Sequence, residues 1–277
     1  MDRAVDIFPI ITVVAEPVTD SDPVRDGSPR IPPDEPRRDL ALWGQGREAR
    51  SAWVAPRSLA PIITIQHVAL SPPLDPRLVL MSAPTSEQAR RYRLLRHRLL
   101  SQGDPRIIAV TSPWGGDGTT TCALNLALAT AEDAMTRVLL LDANLRRPSL
   151  AKILRFSPTV SIIDNAVHVG CVGPPYPVVS ISSTTLHAAP LPDAPFDGAR
   201  LDRTLLATVL SELREAYDYI IIDAASVLES GDADVVAECS DGVIVALRAG
   251  RSKKRDIQRA IAQLAPAPVL GSVLIDA

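Results

Sequence analysis

The sequence predicts an α/β fold built on a doubly wound, mostly parallel sheet. Three observations lead there. Five apolar stretches, "RIIAVTS", "RVLLLDA", "YDYIIIDAAS", "DGVIVALRAG" and "APVLGSVLIDA", are near-continuous runs of Val, Ile and Leu, the composition of parallel strands covered on both faces. Segments of helical composition separate them: "TTTCALNLALATA" and the regions near 201–217, 231–240 and 251–264. Strand and helix in alternation give a sheet wound with helices on both sides. Finally, the glycines and acids that look functional fall just after apolar strands, where open α/β sheets bind their ligands.

Residues 1–80 read differently from 81–277. They hold 12 of the chain's 25 prolines, and proline fixes φ and removes a backbone donor. "VTDSDPVRDGSPRIPPDEPRRD" mixes proline with both signs of charge and has no apolar period, the pattern of a disordered extension. Two short apolar pieces, "FPIITVV" and "PIITIQHVAL", fit either edge strands, a partner-binding segment or plain linker. The net charge of −3 argues against general binding to nucleic acid. Three widely spaced cysteines, Cys122, Cys171 and Cys239, suggest neither a disulfide framework nor a zinc site. No secretory leader is visible, and no stretch approaches the ~20 apolar residues that span a bilayer. A cytoplasmic protein is expected.

A helix is predicted from near Thr85, where Thr85 and Gln88 have capping-box spacing, to a stop at Gly103. Ala89, Tyr92, Leu95 and Leu99 share one face; Arg90, Arg91, Arg93, Arg96 and Arg98 fill the rest. Such a helix suits a solvated surface, a subunit interface, or a face drawn to acidic headgroups or nucleic acid.

The chemistry is predicted in three places. The first is "SPWGGDGTTT", residues 112–121, between a strand and a helix. Gly115, Gly116 and Gly118 let successive N–H groups turn inward around phosphate oxygens, Asp117 lies among them, and the helix N-terminus adds partial positive charge. Thr120 stands where a Ser/Thr hydroxyl meets Mg²⁺, with Thr121 following. Thr119 stands where lysine would bridge the β and γ phosphates. The second place is "LLLDANLRRPSL": Asp142 ends a strand, and Arg146 and Arg147 are placed to meet phosphates. The third is Asp223, ending "YDYIIID", the usual form of a second Mg²⁺-organising carboxylate.

On these motifs the chain resembles the bacterial tyrosine kinases of capsule and exopolysaccharide export, within the P-loop NTPase class that includes the partition and division-site ATPases. "TSPWGGDGTTT" follows their T-S-x-x-P-G-E-G-K-[ST]-T, "LLLDANLRRP" their D-A-D-L-R-R-P, and "YDYIIIDAAS" their Y-D-x-[IV]-I-I-D-T-P-P. "YRLLR" in the basic helix is similar to their self-association segment. The resemblance implies ATP and Mg²⁺ as cofactors, with Asp142 and Asp223 as the catalytic acids and Thr120, Asp142 and Asp223 around the metal. It implies that residues 115–121 with Arg146 and Arg147 hold the nucleotide. It also implies a homo-oligomer formed through the helix near Tyr92, and a membrane-embedded polysaccharide co-polymerase that recruits the chain to the inner face of the membrane. The chain departs from the family pattern at Thr119, at Asn144 and at "AAS" after Asp223, and Arg90 replaces the glutamate of the association segment. The expectation is therefore a kinase-like ATP-binding protein that regulates chain length or assembly, with Thr119 arguing against fast phosphoryl transfer. A non-enzymatic pseudo-ATPase scaffold is the alternative.

Overall fold

The computed structural model describes residues 10–14, 61–101, 103–156, 158, 160–163, 175–181, 184–192 and 200–276. Nine strands form one sheet in the order β1-β9-β8-β3-β7-β4-β6-β5-β2. They are β1 (Ile10–Val14), β2 (Ile63–Val68), β3 (Ile107–Thr111), β4 (Val138–Ala143), β5 (Tyr176–Ile181), β6 (Leu186–Ala189), β7 (Tyr219–Ala224), β8 (Gly242–Arg248) and β9 (Val269–Asp276). All pairings are parallel except the short β5–β6 pair. The helices are α1 (Val79–Ser82), α2 (Glu87–Leu100), α3 (Thr119–Thr130), α4 (Leu150–Leu154), α5 (Arg203–Ala216), α6 (Asp232–Glu238) and α7 (Lys254–Leu264).

Successive strand residues face opposite sides of a sheet, and here both sides are buried. Ile108, Val110, Leu140 and Ile221 join one core with α1, α2, α3 and α4. Ile107, Ala109, Leu139, Leu141 and Ile222 join the other with α5, α6 and α7. This double covering is why the central strands carry continuous apolar runs rather than alternating ones. By the same alternation Asp142, two residues after Leu140, and Asp223, two after Ile221, face the α3 side.

Helix α2 starts one residue later than the Thr85 spacing suggests. Its N-cap is Ser86, whose hydroxyl accepts from the Ala89 N–H at 3.2 Å. The face Ala89, Tyr92, Leu95 and Leu99 is buried. Arg93 pairs with Glu132 and donates to the Pro84 carbonyl, so part of the basic side ties the helix to its own domain.

Ordered structure begins before residue 81. Strand β1 pairs in parallel with β9 and β2 with β5, closing the two sheet edges. Buried Asn125 in α3 accepts from the Leu80 N–H and donates to the Arg77 carbonyl. Of the three readings open for "FPIITVV" and "PIITIQHVAL", residues 10–14 and 63–68 take the edge strand. The intervening residues 15–60 lie outside the described ones. The β5–β6 hairpin has no counterpart among the sequence-predicted elements. Among the described residues no helix is long and apolar enough to cross a membrane.

Candidate functional site

The site is built at the C-terminal ends of β3, β7 and β4. Chain connectivity runs from β3 through α3 to β4, but β7 lies between these two strands in the sheet. That insertion sets Asp223 of β7 beside the loop that leaves β3.

The loop 112–118 is tightly held. Gly116 and Gly118 have φ of +87° and +94°, a left-handed backbone that glycine adopts without strain. A Cβ at Gly118 would strike the Ile275 side chain. The Thr111 hydroxyl donates to the Ala225 carbonyl at 2.6 Å, and the Val227 N–H donates to the Ser112 carbonyl at 2.9 Å. The turn after β7 thus runs along the base of the loop. Thr119, the first residue of α3, turns its hydroxyl down to donate to Ser112 Oγ at 2.8 Å. In the slot that the motif gives to lysine, the side chain is therefore short, neutral and engaged within the loop itself.

Below the loop lie the two acids. Asp142 and Asp223 stand directly opposite each other in the β4–β7 register, and both are fully buried. Burial raises the Asp142 carboxyl to about 7, against the opposing pull of N–H donors that include those of Asn144 and Leu150. Burial also raises Asp223, and the charge of Asp142 raises it further. The Thr120 hydroxyl is near enough to favour the Asp223 carboxylate, yet neither Asp223 oxygen has a hydrogen bond of good geometry. Thr120 instead accepts from Ser149 Oγ at 3.1 Å. Two carboxyls side by side in a dry site resist ionising together.

The rim is basic. Arg147 reaches over Gly115, where its guanidinium would meet any added Cβ, and its Nη2 lies 3.7 Å from Glu229. Arg251 Nη2 donates to the Gly115 carbonyl at 2.9 Å and Arg248 Nη1 to the Gly116 carbonyl at 3.3 Å. Asp117 is buried; its Oδ2 accepts from Ser252 Oγ at 3.0 Å, and its Oδ1 lies 3.7 Å from Arg251 Nε. Burial outweighs these partners and raises its carboxyl above the usual range.

Of the residues singled out in the sequence, 115–121, Asp142, Asp223 and Arg147 converge here. Arg146 makes no hydrogen bond or ion pair to the loop among the described residues. Sequence reasoning missed Arg248, Arg251, Ser252 and Ser149. Arg248 ends β8 and Arg251 and Ser252 follow in the next turn, so the rule that located Asp142 and Asp223 would have found them too.

Comparison with known proteins bears on the family and the fold. No family model matches the chain. Over 206 residues it is 25% identical to tyrosine-protein kinase YwqD of Bacillus subtilis, spanning 71% of this chain and 84% of that protein. It is 27% identical over 164 residues to tyrosine-protein kinase CpsD of Streptococcus agalactiae, 57% of this chain and 68% of that one. A third relative is the succinoglycan biosynthesis transport protein ExoP of Rhizobium meliloti, 26% identical over 184 residues, 64% of this chain but 23% of that protein. This is a P-loop NTPase fold whose relatives are bacterial tyrosine kinases.

Solved structures support the fold. The chimerical protein CapA2B2 superposes with a TM-score of 0.61 at 20% identity, covering 78% of this chain and 94% of that one. The kinase domain of Escherichia coli tyrosine kinase ETK gives 0.58 at 19%, covering 72% and 80%. The MinC:MinD cell division complex of Aquifex aeolicus gives 0.50 at 24%, covering 62% and 68%.

Proposed function

We propose that this chain is a kinase-like protein of exopolysaccharide or capsule assembly that binds ATP with Mg²⁺ and transfers phosphate slowly or not at all. The observation that carries the reading is the facing pair Asp142 and Asp223 beneath the glycine loop, with both Asp223 oxygens buried and unpartnered. Leaving such groups unsatisfied is costly, and a cation would relieve it. Mg²⁺ commonly takes one or two carboxylates, a hydroxyl, waters and substrate phosphates rather than an all-protein cage. That fits a site where the described residues hold no cluster of three or more His, Cys, Asp or Glu.

In this reading Gly115, Gly116 and Gly118 shape the backbone donors for phosphate, and the N-terminus of α3 adds its partial charge. Thr120 and Asp223 face the metal. Asp142, anchored by the Asn144 and Leu150 N–H groups, orients whatever approaches from the β4 side. Bound Mg²⁺ would neutralise phosphate charge. Thr119 supplies no cation to the transferring group, and a missing donor of that kind costs roughly 10²–10³ in rate.

The four tyrosines are engaged elsewhere. The Tyr92 hydroxyl is buried, while those of Tyr176, Tyr217 and Tyr219 bond Glu212, His187 and Asp104. This favours a regulatory role over self-phosphorylation at these positions. A membrane-embedded co-polymerase partner, recruitment to the inner membrane face and self-association through α2 are what the family resemblance implies; the relative ExoP, a succinoglycan biosynthesis transport protein, supports the pathway.

Calorimetric titration of MgATP into the full chain tests the reading, together with a phosphate-release assay. Saturable binding with turnover far below that of an intact-loop relative is expected. No binding at millimolar MgATP would overturn it and leave the scaffold alternative.

A further inference from the structure

We infer that Arg251, seconded by Arg248, supplies the phosphate-binding positive charge that the loop does not obtain from Thr119. This rests on the nucleotide-binding reading above and assigns a role to the turn after β8, which the sequence motifs left without one.

Arg251 is attached to the loop itself. Its Nη2 donates to the Gly115 carbonyl at 2.9 Å, and its Nε lies 3.7 Å from the buried Asp117 carboxylate. A Cβ placed on Gly116 would come within 2.8 Å of Arg251 Nη1, so the guanidinium lies across that glycine. Arg248 adds a second guanidinium, bonded to the Gly116 carbonyl. The turn carrying both is clamped: Ser252 Oγ accepts from the Arg248 N–H at 2.9 Å and donates to Asp117 Oδ2 at 3.0 Å.

A guanidinium has five donors in a planar fork and matches phosphate geometry. Two loop contacts use Nη2 and Nε, which leaves Nη1 the atom set over Gly116. Arg251 remains 53% exposed at its side chain, so it is reachable from solvent by an incoming anion. Arg147 is less suited. Its ion-pair partner is Glu229 on a neighbouring turn, and it makes no hydrogen bond to the loop. The glycines at 115 and 116 have a second purpose in this arrangement: their missing side chains leave the space that the two turns' guanidiniums fill.

The test is MgATP affinity, measured by calorimetry on the full chain, for the wild type, R251A, R251Q and R251A/T119K. Arg251→Gln keeps a donor for the Gly115 carbonyl but removes the charge. Both single variants are expected to weaken binding about tenfold or more. Lysine at 119 in the R251A background is expected to restore affinity to within about threefold. A residue that merely holds the loop in shape would not respond so, because lysine at 119 does not replace the bond to Gly115. Unchanged or tighter binding in R251Q, or no restoration by T119K, overturns this inference alone. Failure of the wild type to bind at millimolar MgATP overturns it together with the nucleotide reading.

Discussion

The floor of the site holds two carboxylates that are 0% exposed, while its rim holds guanidiniums that are 64% exposed at Arg147 and 53% at Arg251. The floor is fixed by sheet register: Asp142 and Asp223 sit opposite because β4 and β7 pair residue for residue. The rim is assembled from turns and flexible side chains. The difference teaches that acid geometry cannot move without moving the sheet, whereas positive charge can migrate between loops that converge on one point. A missing lysine at 119 is thus a local change with neighbours able to answer it; a missing aspartate at 223 has none.

Changes to the floor should have the largest effect. Asp223→Asn is expected to weaken Mg²⁺-dependent ATP binding on the order of 100-fold, while leaving the unfolding free energy of the ligand-free protein within about 1 kcal/mol, since one neutral buried polar group replaces another. Calorimetry and denaturant titration read the two effects separately; loss of both binding and stability would mean the acid is structural.

The floor also predicts a pH dependence. In the unfolded chain both acids ionise near the ordinary carboxylate value, while folded Asp142 keeps its proton to about 7. Between about pH 4 and 7 the folded state therefore binds more protons, so raising pH lowers stability, by up to about 1.4 kcal/mol per pH unit for one group. Below that window the penalty is absent. Asp75 and Asp218, both lowered by arginine partners against the opposing pull of burial, act in the opposite sense and at lower pH. The difference in stability between wild type and Asp142→Asn, followed from pH 4 to 7, isolates the floor. A flat difference would show that the acid is not held protonated.

Rim changes should be smaller. Thr119→Lys is expected to tighten MgATP binding only about threefold while Arg251 is in place, less than its gain in the R251A background, and to break the bond to Ser112, with little loss of Tm. Smallest of all, Arg147→Ala should weaken binding only a few-fold, since its guanidinium is largely solvated, and Arg146→Ala should not change it. Equal large losses from both would invert the comparison and make the β4–α4 turn the principal phosphate contact.

How much of this was legible follows the same division. Strands β3, β4, β7, β8 and β9 announce themselves because burial on both faces demands unbroken apolar runs. Asp142 and Asp223 were each visible as an acid ending such a run, but their pairing depends on β7 entering the sheet between β3 and β4, which no local pattern encodes. Arg248 and Arg251 lie more than 130 positions from the loop whose carbonyls they bond, and only the fold brings them there. Strands β1 and β2 are short and flanked by proline, so pattern alone left edge strand, partner-binding segment and linker all open, with linker the favoured reading. The β5–β6 pair, of six and four residues, is too brief for alternation to stand out.

The edge pairing of β1 has a consequence for how the molecule is made. Ile10 aligns with Ser272, about 260 positions further along, so β1 waits for β9 to be made before it finds its place. Contacts of such separation form late and slowly. During synthesis at ~5–20 residues per second, the early segment would spend many seconds unpaired. Its five residues, "IITVV", are brief enough to limit what a foreign strand could grip in that interval. The β1–β9 edge therefore pairs only after the strands between them in sequence have been made.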